Sequence, residues 1–222
     1  MDILNGMKAA LFDLDGVIVD TAKYHFLAWK RLADSLGIPF DEADNERLKG
    51  VSRMRSLEIV LELGGVVFPE EEKARLADRK NAWYVELVSA MDASEILPGA
   101  TAYLDSLRRR GILTALGSAS KNARPILRRL GIADRFDAIV DGTMVSAAKP
   151  DPEVFLHGAA ALGVESAACV VFEDARAGVE AAKRAGMRAV GIGDPRVLDN
   201  ADFVVSGLAV LVGAGDGYAP NV

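Results

Sequence analysis

The chain has 222 residues, 50% of them apolar and 26% charged, a balance that suits one globular domain or one domain carrying a smaller insertion. A formal net charge of −6 provides no basic face for nucleic acid or an anionic membrane, and no apolar run approaches a membrane span. The N-terminus shows no basic region followed by an apolar core, and the single Cys169 within "ACVVF" is expected as a buried thiol, so a cytoplasmic protein is the default expectation.

In chain order, the first element is the apolar run "KAALF" (8–12), followed at once by Asp13, Asp15 and Gly16. From about Thr21 to Ile96 no convincing strand occurs. Helical patterns run through "AKYHFLAWKRLADSLG", "MRSLEIVLELGG" and "PEEEKARLADRKNAWYVELVSAM". "LPGA" (97–100) then opens a regular alternation. Short apolar runs "ILTALG" (112–117), "AIVDG" (138–142), "CVVF" (169–172), "AVGIG" (189–193) and "DFVVS" (202–206) alternate with helical stretches. Among the latter, "NARPILRRLG" and "ARAGVEAAKRAG" stop at Gly, and "DPEVFLHGAAALG" places Asp151 at an N-cap and Pro152 at the first helical position. Runs of four to six residues rich in Val, Ile and Leu, without polar alternation, are strands buried on both faces of a parallel sheet. The expectation is an α/β fold: a doubly wound, Rossmann-like parallel sheet formed by 1–20 and 97–222, with an all-helical cap inserted at 21–96. Asp20 is expected to cap the first cap helix or brace the hinge, and the Gly-rich tail "GAGDGYAPNV" is expected to fray.

In open α/β sheets the ligand site lies at the carboxyl ends of the strands. Asp13 and Asp15 follow the first strand; Ser118, Ala119, Ser120, Lys121 and Asn122 follow the second. The segment after the third leads to Lys149, and Glu173 and Asp174 follow the fourth. Four carboxylates on one rim repel one another, so a hard cation is implied, and oxygen donors with several waters suit Mg²⁺. A calcium loop beginning at Asp13 fails on register, because its sixth and twelfth positions hold Ile18 and Tyr24. Main-chain N–H groups of 118–120, at a strand-to-helix turn, are expected to point outward and favour an anion, with Lys149 adding a point charge. That is apparatus for phosphoryl transfer, in which Asp13 attacks phosphorus and Asp15, facing the same way two residues on, handles the proton.

"DLDGVIVD", "GSAS", "KPDP" and "FEDARAG" resemble, in order, the four signature motifs of the haloacid dehalogenase superfamily. The resemblance implies an aspartyl phosphate at Asp13. It also implies that Asp15 protonates the leaving group and gives its main-chain carbonyl to Mg²⁺, and that Asp174 and Glu173 complete the metal site with Asp13 and Asp15. The dehalogenases themselves lack the second Asp. Within the cap, "YHFLAWKRLA", "LKGVSRMRSL" and "RKNAWYVE", together with "SASKNARPIL" from the core, resemble the β-phosphoglucomutase family. That likeness implies interconversion of β-glucose 1-phosphate and glucose 6-phosphate through glucose 1,6-bisphosphate, which also serves as activator. By the same likeness His25, Lys49, Gly50, Val51, Ser52, Ser56 and Lys80 contact the sugar or close over it. Arg53 with Ser120, Lys121 and Asn122 holds the distal phosphate, and Ser118, Ala119 and Lys149 hold the reacting one. The implied partner is a small hexose phosphate, with no nucleic acid or membrane, and the implied state is a monomer. The core motifs serve a sugar-phosphate phosphatase equally well, and only the cap separates the two. Two further alternatives are a carbon–phosphorus hydrolase using a cap lysine, for which Lys49 is the candidate, and a sugar-phosphate-binding regulator without chemistry. Taken alone, Lys80 in "DRKNAW" reads equally as a solvated face and His25 as a packing residue; Trp29, Trp83 and His157 are assigned no chemistry. Ala175 stands where relatives of this pattern tend to carry Ser.

Overall fold

Four residues with no polar alternation, β1 (Ala9–Phe12), run through the middle of the molecule in the computed structural model, which describes residues 3–49 and 51–212. All four are fully buried, and successive side chains enter opposite layers. Ala10 and Phe12 join one apolar cluster, Ala9 and Leu11 another. Parallel partners flank β1 on both sides, β2 (Leu113–Gly117) and β4 (Cys169–Glu173). Outside them lie β3 (Ala138–Val140), β5 (Arg188–Ile192) and β6 (Phe203–Val205), giving the order β3-β2-β1-β4-β5-β6 with every pairing parallel. Each run read as a strand in the sequence is one. Cys169, at the start of β4, is a buried free thiol.

Helices cover both faces. α5 (Ala100–Arg109) and α6 (Ala123–Arg129) place Tyr103, Leu104, Leu107, Ile126 and Leu127 on the Phe12 side. There Phe12 stacks on its register partner Phe172 at 4.7 Å and meets Tyr103 and Phe136 edge-on. α7 (Glu153–Leu162) and α8 (Arg176–Arg184) contribute Val154, Phe155, Val179 and Ala182 to the opposite side. α7 begins one residue later than its Asp-Pro signal implies. Pro152 takes the capping position, and Asp151 accepts a hydrogen bond from the Glu153 N–H.

Between β1 and α5 the chain forms α1 (Ala22–Ser35), α2 (Glu42–Glu46), α3 (Arg53–Gly64) and α4 (Glu70–Val88). Their apolar faces enclose a third cluster that includes Trp29, Leu32, Phe40, Leu57, Val60 and Leu76. α4 starts with Glu70, Glu71 and Glu72 in its first turn, where the helix dipole favours acids. Short α2 is held by a reciprocal capping box between Asp41 and Asp44.

The chain passes between sheet and helices twice, and the two passages are bonded to each other. Val19 bridges Ile96, the Leu97 N–H donates to the Ile18 carbonyl, and the Asp20 N–H donates to the Glu95 carbonyl. Glu95 also takes the Tyr24 hydroxyl and the Lys23 ammonium, each at 2.6 Å. Asp20 therefore braces this junction through its main chain; the N-cap position of α1 belongs to Thr21.

Gly99, at φ 83°, starts α5 against the 208–211 turn, where an added Cβ would stand 2.3 Å from the Ala209 Cα. Gly99→Ala combines positive-φ strain with a backbone clash and is expected to destabilise the fold by about 2 kcal/mol. In thermal unfolding that is a midpoint lowered by roughly 4–8 °C for a chain of this size.

Candidate active site

The strand order reverses at β1 and β4, and the acids stand at their carboxyl ends. Asp13 continues the ladder, its N–H donating to the Phe172 carbonyl at 3.0 Å. One of its carboxylate oxygens accepts the Asp15 N–H at 2.9 Å and the other the Lys149 ammonium at 2.5 Å. Lys149 also reaches Glu173 at 2.6 Å, and the second Glu173 oxygen accepts the Ala175 N–H at 2.8 Å. The side chains of Lys149 and Glu173 are only 1% exposed. Burial opposes charge on Lys149, but the Asp13 and Glu173 carboxylates outweigh it and hold the ammonium above its ordinary pKa. Burial likewise pushes Glu173 upward. Yet both its oxygens accept hydrogen bonds, an arrangement that fits the carboxylate facing an ammonium. Glu173 thus orients Lys149, and each of its oxygens keeps a second lone pair.

Asp15 is pushed up to about 6 by burial and the Asp13 charge, while the Thr21 hydroxyl, donating to its Oδ1, pulls the other way. Asp174 is raised well above the carboxylate range by burial and by Glu173 and Asp13. Its carboxylate lies so close over Gly16 that a Cβ there would stand 2.2 Å from Oδ2; glycine at φ 76° makes room for it. Among the described residues no group of three His, Cys, Asp or Glu side chains is gathered to hold a metal. Two carboxylates, Asp13 and Asp174, with main-chain oxygen and water, are the donor set that suits Mg²⁺, which keeps much of its hydration. A bound cation would offset the burial of Asp174 and its repulsion by Glu173 and Asp13.

The β2–α6 loop is built differently from the sequence expectation. The Ser118 N–H donates to the Val140 carbonyl, the Ser120 N–H to the Ser118 hydroxyl and the Asn122 N–H to the Ser120 hydroxyl. Main-chain donors of Ser118 and Ser120 are therefore turned inward. The expectation of outward main-chain donors thus fails for Ser118 and Ser120; Ala119, Ser120, Lys121 and Asn122 all line the cavity.

From the helical side, Lys80 of α4 is 3% exposed and lies over the rings of Trp29 and Tyr84 at 4.5 and 4.9 Å. Its ammonium is 2.9 Å from Nδ1 of His25, which stacks on Tyr84. Burial and then the Arg53 charge depress Lys80 to about 7. Burial and the Lys80 charge hold His25 well below its ordinary value, so a neutral imidazole accepts from the lysine at Nδ1. Arg53, at the start of α3, is 3.8 Å from the exposed Asp78 carboxylate, and Lys49 pairs with Glu46 at 3.0 Å. Ser52 caps α3 by accepting the Arg55 N–H, and Ser56 is buried behind it. The Asn122 amide donates to Asn81 of α4 at 3.0 Å, a direct bond between helical layer and core.

These groups surround one cavity of about 440 Å³, a size suited to a small phosphorylated ligand. Asp13, Asp15 and Asp174 line one end. Ala119, Ser120, Lys121 and Asn122 line the core wall, and His25, Lys49, Val51, Ser52, Arg53, Ser56 and Lys80 the helical wall. Ser118, Lys149 and Glu173 stand behind the lining, and Gly50 lies outside the described residues, as does the tail 213–222. Sequence reading missed Thr21, Trp29, Tyr84 and Asn81. Trp29 was left without a role but walls the cavity. Asn81 directly follows Lys80, and Thr21 directly follows the first motif, so adjacency was the available signal for those two.

Comparison with known proteins places the chain in a family. The haloacid dehalogenase-like hydrolase family model matches residues 7–186, and the chain belongs to that family, whose members imply a divalent metal. It is 51% identical over 201 residues to a β-phosphoglucomutase of Bacillus subtilis, covering 90% of this chain and 89% of that one. A phosphorylated carbohydrates phosphatase of Thermotoga maritima is 35% identical over 83% of this chain and 84% of its own. Among solved structures, a β-phosphoglucomutase of Clostridium difficile superposes with a TM-score of 0.89 at 45% identity, covering 92% and 93% of the two chains. No helix among the described residues is long and apolar enough to cross a membrane.

A lysine depressed to about 7 in the fold and near 10.4 when unfolded binds fewer protons folded than unfolded between those values. Its contribution to stability therefore rises with pH across that window. The urea midpoint is expected to climb from pH 7 to 9, and in Lys80→Met the climb is expected to be visibly flatter.

Proposed function

We propose that this chain is a Mg²⁺-dependent β-phosphoglucomutase, converting β-glucose 1-phosphate to glucose 6-phosphate through glucose 1,6-bisphosphate. The observation that carries the reading is that one cavity is lined both by Asp13, with Lys149 bonded behind it, and by a second set of groups suited to an anion, Arg53, Ser120, Lys121 and Asn122. In this reading the second set takes the phosphate that is not transferred. A phosphatase needs only the first. Residues 21–96 act in this reading as a lid, and the cavity is completed by one chain, as a monomer requires.

The Asp13 carboxylate, aligned by the Asp15 N–H at one oxygen and Lys149 at the other, supplies the nucleophile through a remaining lone pair. Attack on phosphorus forms an oxygen–phosphorus bond to Asp13 and breaks the bond to the sugar oxygen of the bisphosphate. Asp15, held near neutrality by burial and steadied by Thr21, gives its proton to that departing oxygen. In the reverse transfer the carboxylate of Asp15 takes the proton of an incoming sugar hydroxyl. Lys149 keeps the charge on the transferring group balanced in a site with little water. Asp13 and Asp174, with the Asp15 main-chain carbonyl, would hold Mg²⁺, which supplies positive charge against the phosphoryl oxygens when bound. Arg53 and the Ser120–Asn122 cluster hold the phosphate that is not moving, and Lys80 and His25 read the sugar between. Lys49 and Val51–Ser56 form the closing edge. With water excluded, the acyl phosphate waits for a sugar hydroxyl.

The deciding assay supplies Mg²⁺, a trace of glucose 1,6-bisphosphate and either anomer of glucose 1-phosphate, and follows glucose 6-phosphate and free phosphate together. Isomerisation of the β anomer alone supports the mutase; stoichiometric phosphate release assigns the chain to the sugar-phosphate phosphatases instead. Asp13→Asn is expected to lower turnover by on the order of 10³-fold or more. Arg53→Ala removes a charged hydrogen-bond donor worth about 1.5–3 kcal/mol, roughly 10- to 150-fold in mutase kcat/KM. Hydrolysis of a small aryl phosphate, which has no distal group, is expected to fall much less; equal losses would count against the distal role.

A further inference from the structure

The distal-phosphate cluster does not stand by itself. Asp141, immediately after β3, is buried, and its carboxylate accepts the Arg124 Nε–H at 2.9 Å. The other oxygen accepts the Thr143 N–H at 2.9 Å and its hydroxyl at 2.5 Å, so the acid is fully engaged. Arg124 sits in the first turn of α6, two residues beyond Asn122, and its guanidinium also donates to the Ile139 carbonyl. That fork clamps the start of α6 to the end of β3.

Next in sequence, Gly142 presses on the loop from the opposite side. Its N–H donates to the Ser120 carbonyl at 3.2 Å, and a Cβ at this position would stand 2.1 Å from the Ala119 oxygen and 3.1 Å from the Lys121 nitrogen. Residues 119–122 are thereby held by Asp141, through Arg124, and by Gly142, both on the segment that follows β3. Ser118 is anchored at the same strand through Val140.

We propose that Arg124, Asp141 and Gly142 are positioning residues for the distal phosphate. They set the distance between the Ser120–Asn122 cluster and Asp13, and hence the length of a molecule carrying a phosphate at each end. None of the three needs to touch the ligand with its side chain. The proposal rests on the reading that Ser120–Asn122 hold the phosphate not being transferred. It adds which part of the fold makes that site selective for a two-phosphate sugar.

The test measures glucose 1,6-bisphosphate binding by calorimetry on an Asp13→Asn background, where chemistry is blocked. Arg124→Met, Arg124→Lys and Gly142→Ala are added singly, each checked for an unchanged thermal midpoint. Displacement of the loop by a fraction of an ångström or more is expected to weaken binding about tenfold in Arg124→Met and Gly142→Ala. Arg124→Lys keeps the charge but loses the fork, and an intermediate effect is expected. In the Asp13-intact protein, KM for the bisphosphate is expected to rise in Arg124→Met and Arg124→Lys, the variants that do not press on Ala119, while their kcat for a small aryl phosphate stays within about twofold. Bisphosphate binding unchanged in folded variants overturns the positioning role, as does a parallel loss of aryl phosphate hydrolysis, which would mean general disruption. Arg124 is 40% exposed in its side chain, so Arg124→Met is decisive even where Gly142→Ala does not fold. No bisphosphate binding by the Asp13→Asn parent itself overturns the two-phosphate reading of the cavity, a result distinct from equal binding across the series.

Discussion

A single buried ammonium governs the layout. Lys149 has almost no exposure, so its charge persists only because two carboxylates meet it at hydrogen-bond distance. One of them ends β1, the other ends β4, and the lysine arrives on the segment that follows β3. The three must converge or the charge is stranded. This requirement locks the strand ends in register and makes Asp13 a held, oriented carboxylate before any ligand enters. Glu173 completes the triangle and is itself held by the Ala175 N–H. The residue after it, Asp174, is raised by burial and by the neighbouring acids Glu173 and Asp13, and is seated over a glycine.

The sheet was legible because its strands are buried on both faces. β1, β4 and β5 read as plain apolar runs, and nothing polar interrupts them. α2 was not legible: five residues held by Asp41 and Asp44 carry no apolar period. The acids and Lys149 were legible for the same reason as the strands, since strand ends of a parallel sheet point to one rim. Contacts across the cavity were not. Lys80 sits in a charged phrase that suggests solvent, yet the face of α4 on which it falls is turned to Trp29 and His25. Thr21, Tyr84 and Asn81 have roles only because two layers meet, and no local pattern records such a meeting.

The phosphate loop shows how a motif can be recognised while part of its geometry goes unread. Ser118 and Ser120 fit the expected place, but their hydroxyls accept main-chain N–H groups and coil the loop upon itself. A helix of seven residues follows, too short to concentrate much dipole at its start. Selectivity then shifts to side chains and to whatever keeps them in place. That is why an arginine and a glycine outside the recognised motifs bear on the site.

The paired chain crossings beneath the helical layer have a mechanical consequence. Bonded edge to edge through Val19, Ile96, Ile18 and Leu97, they form a ribbon. A ribbon bends easily across its flat side and resists shear along its length. The two crossings are therefore one mechanical element rather than two independent tethers, and neither can shift along its length without dragging the other.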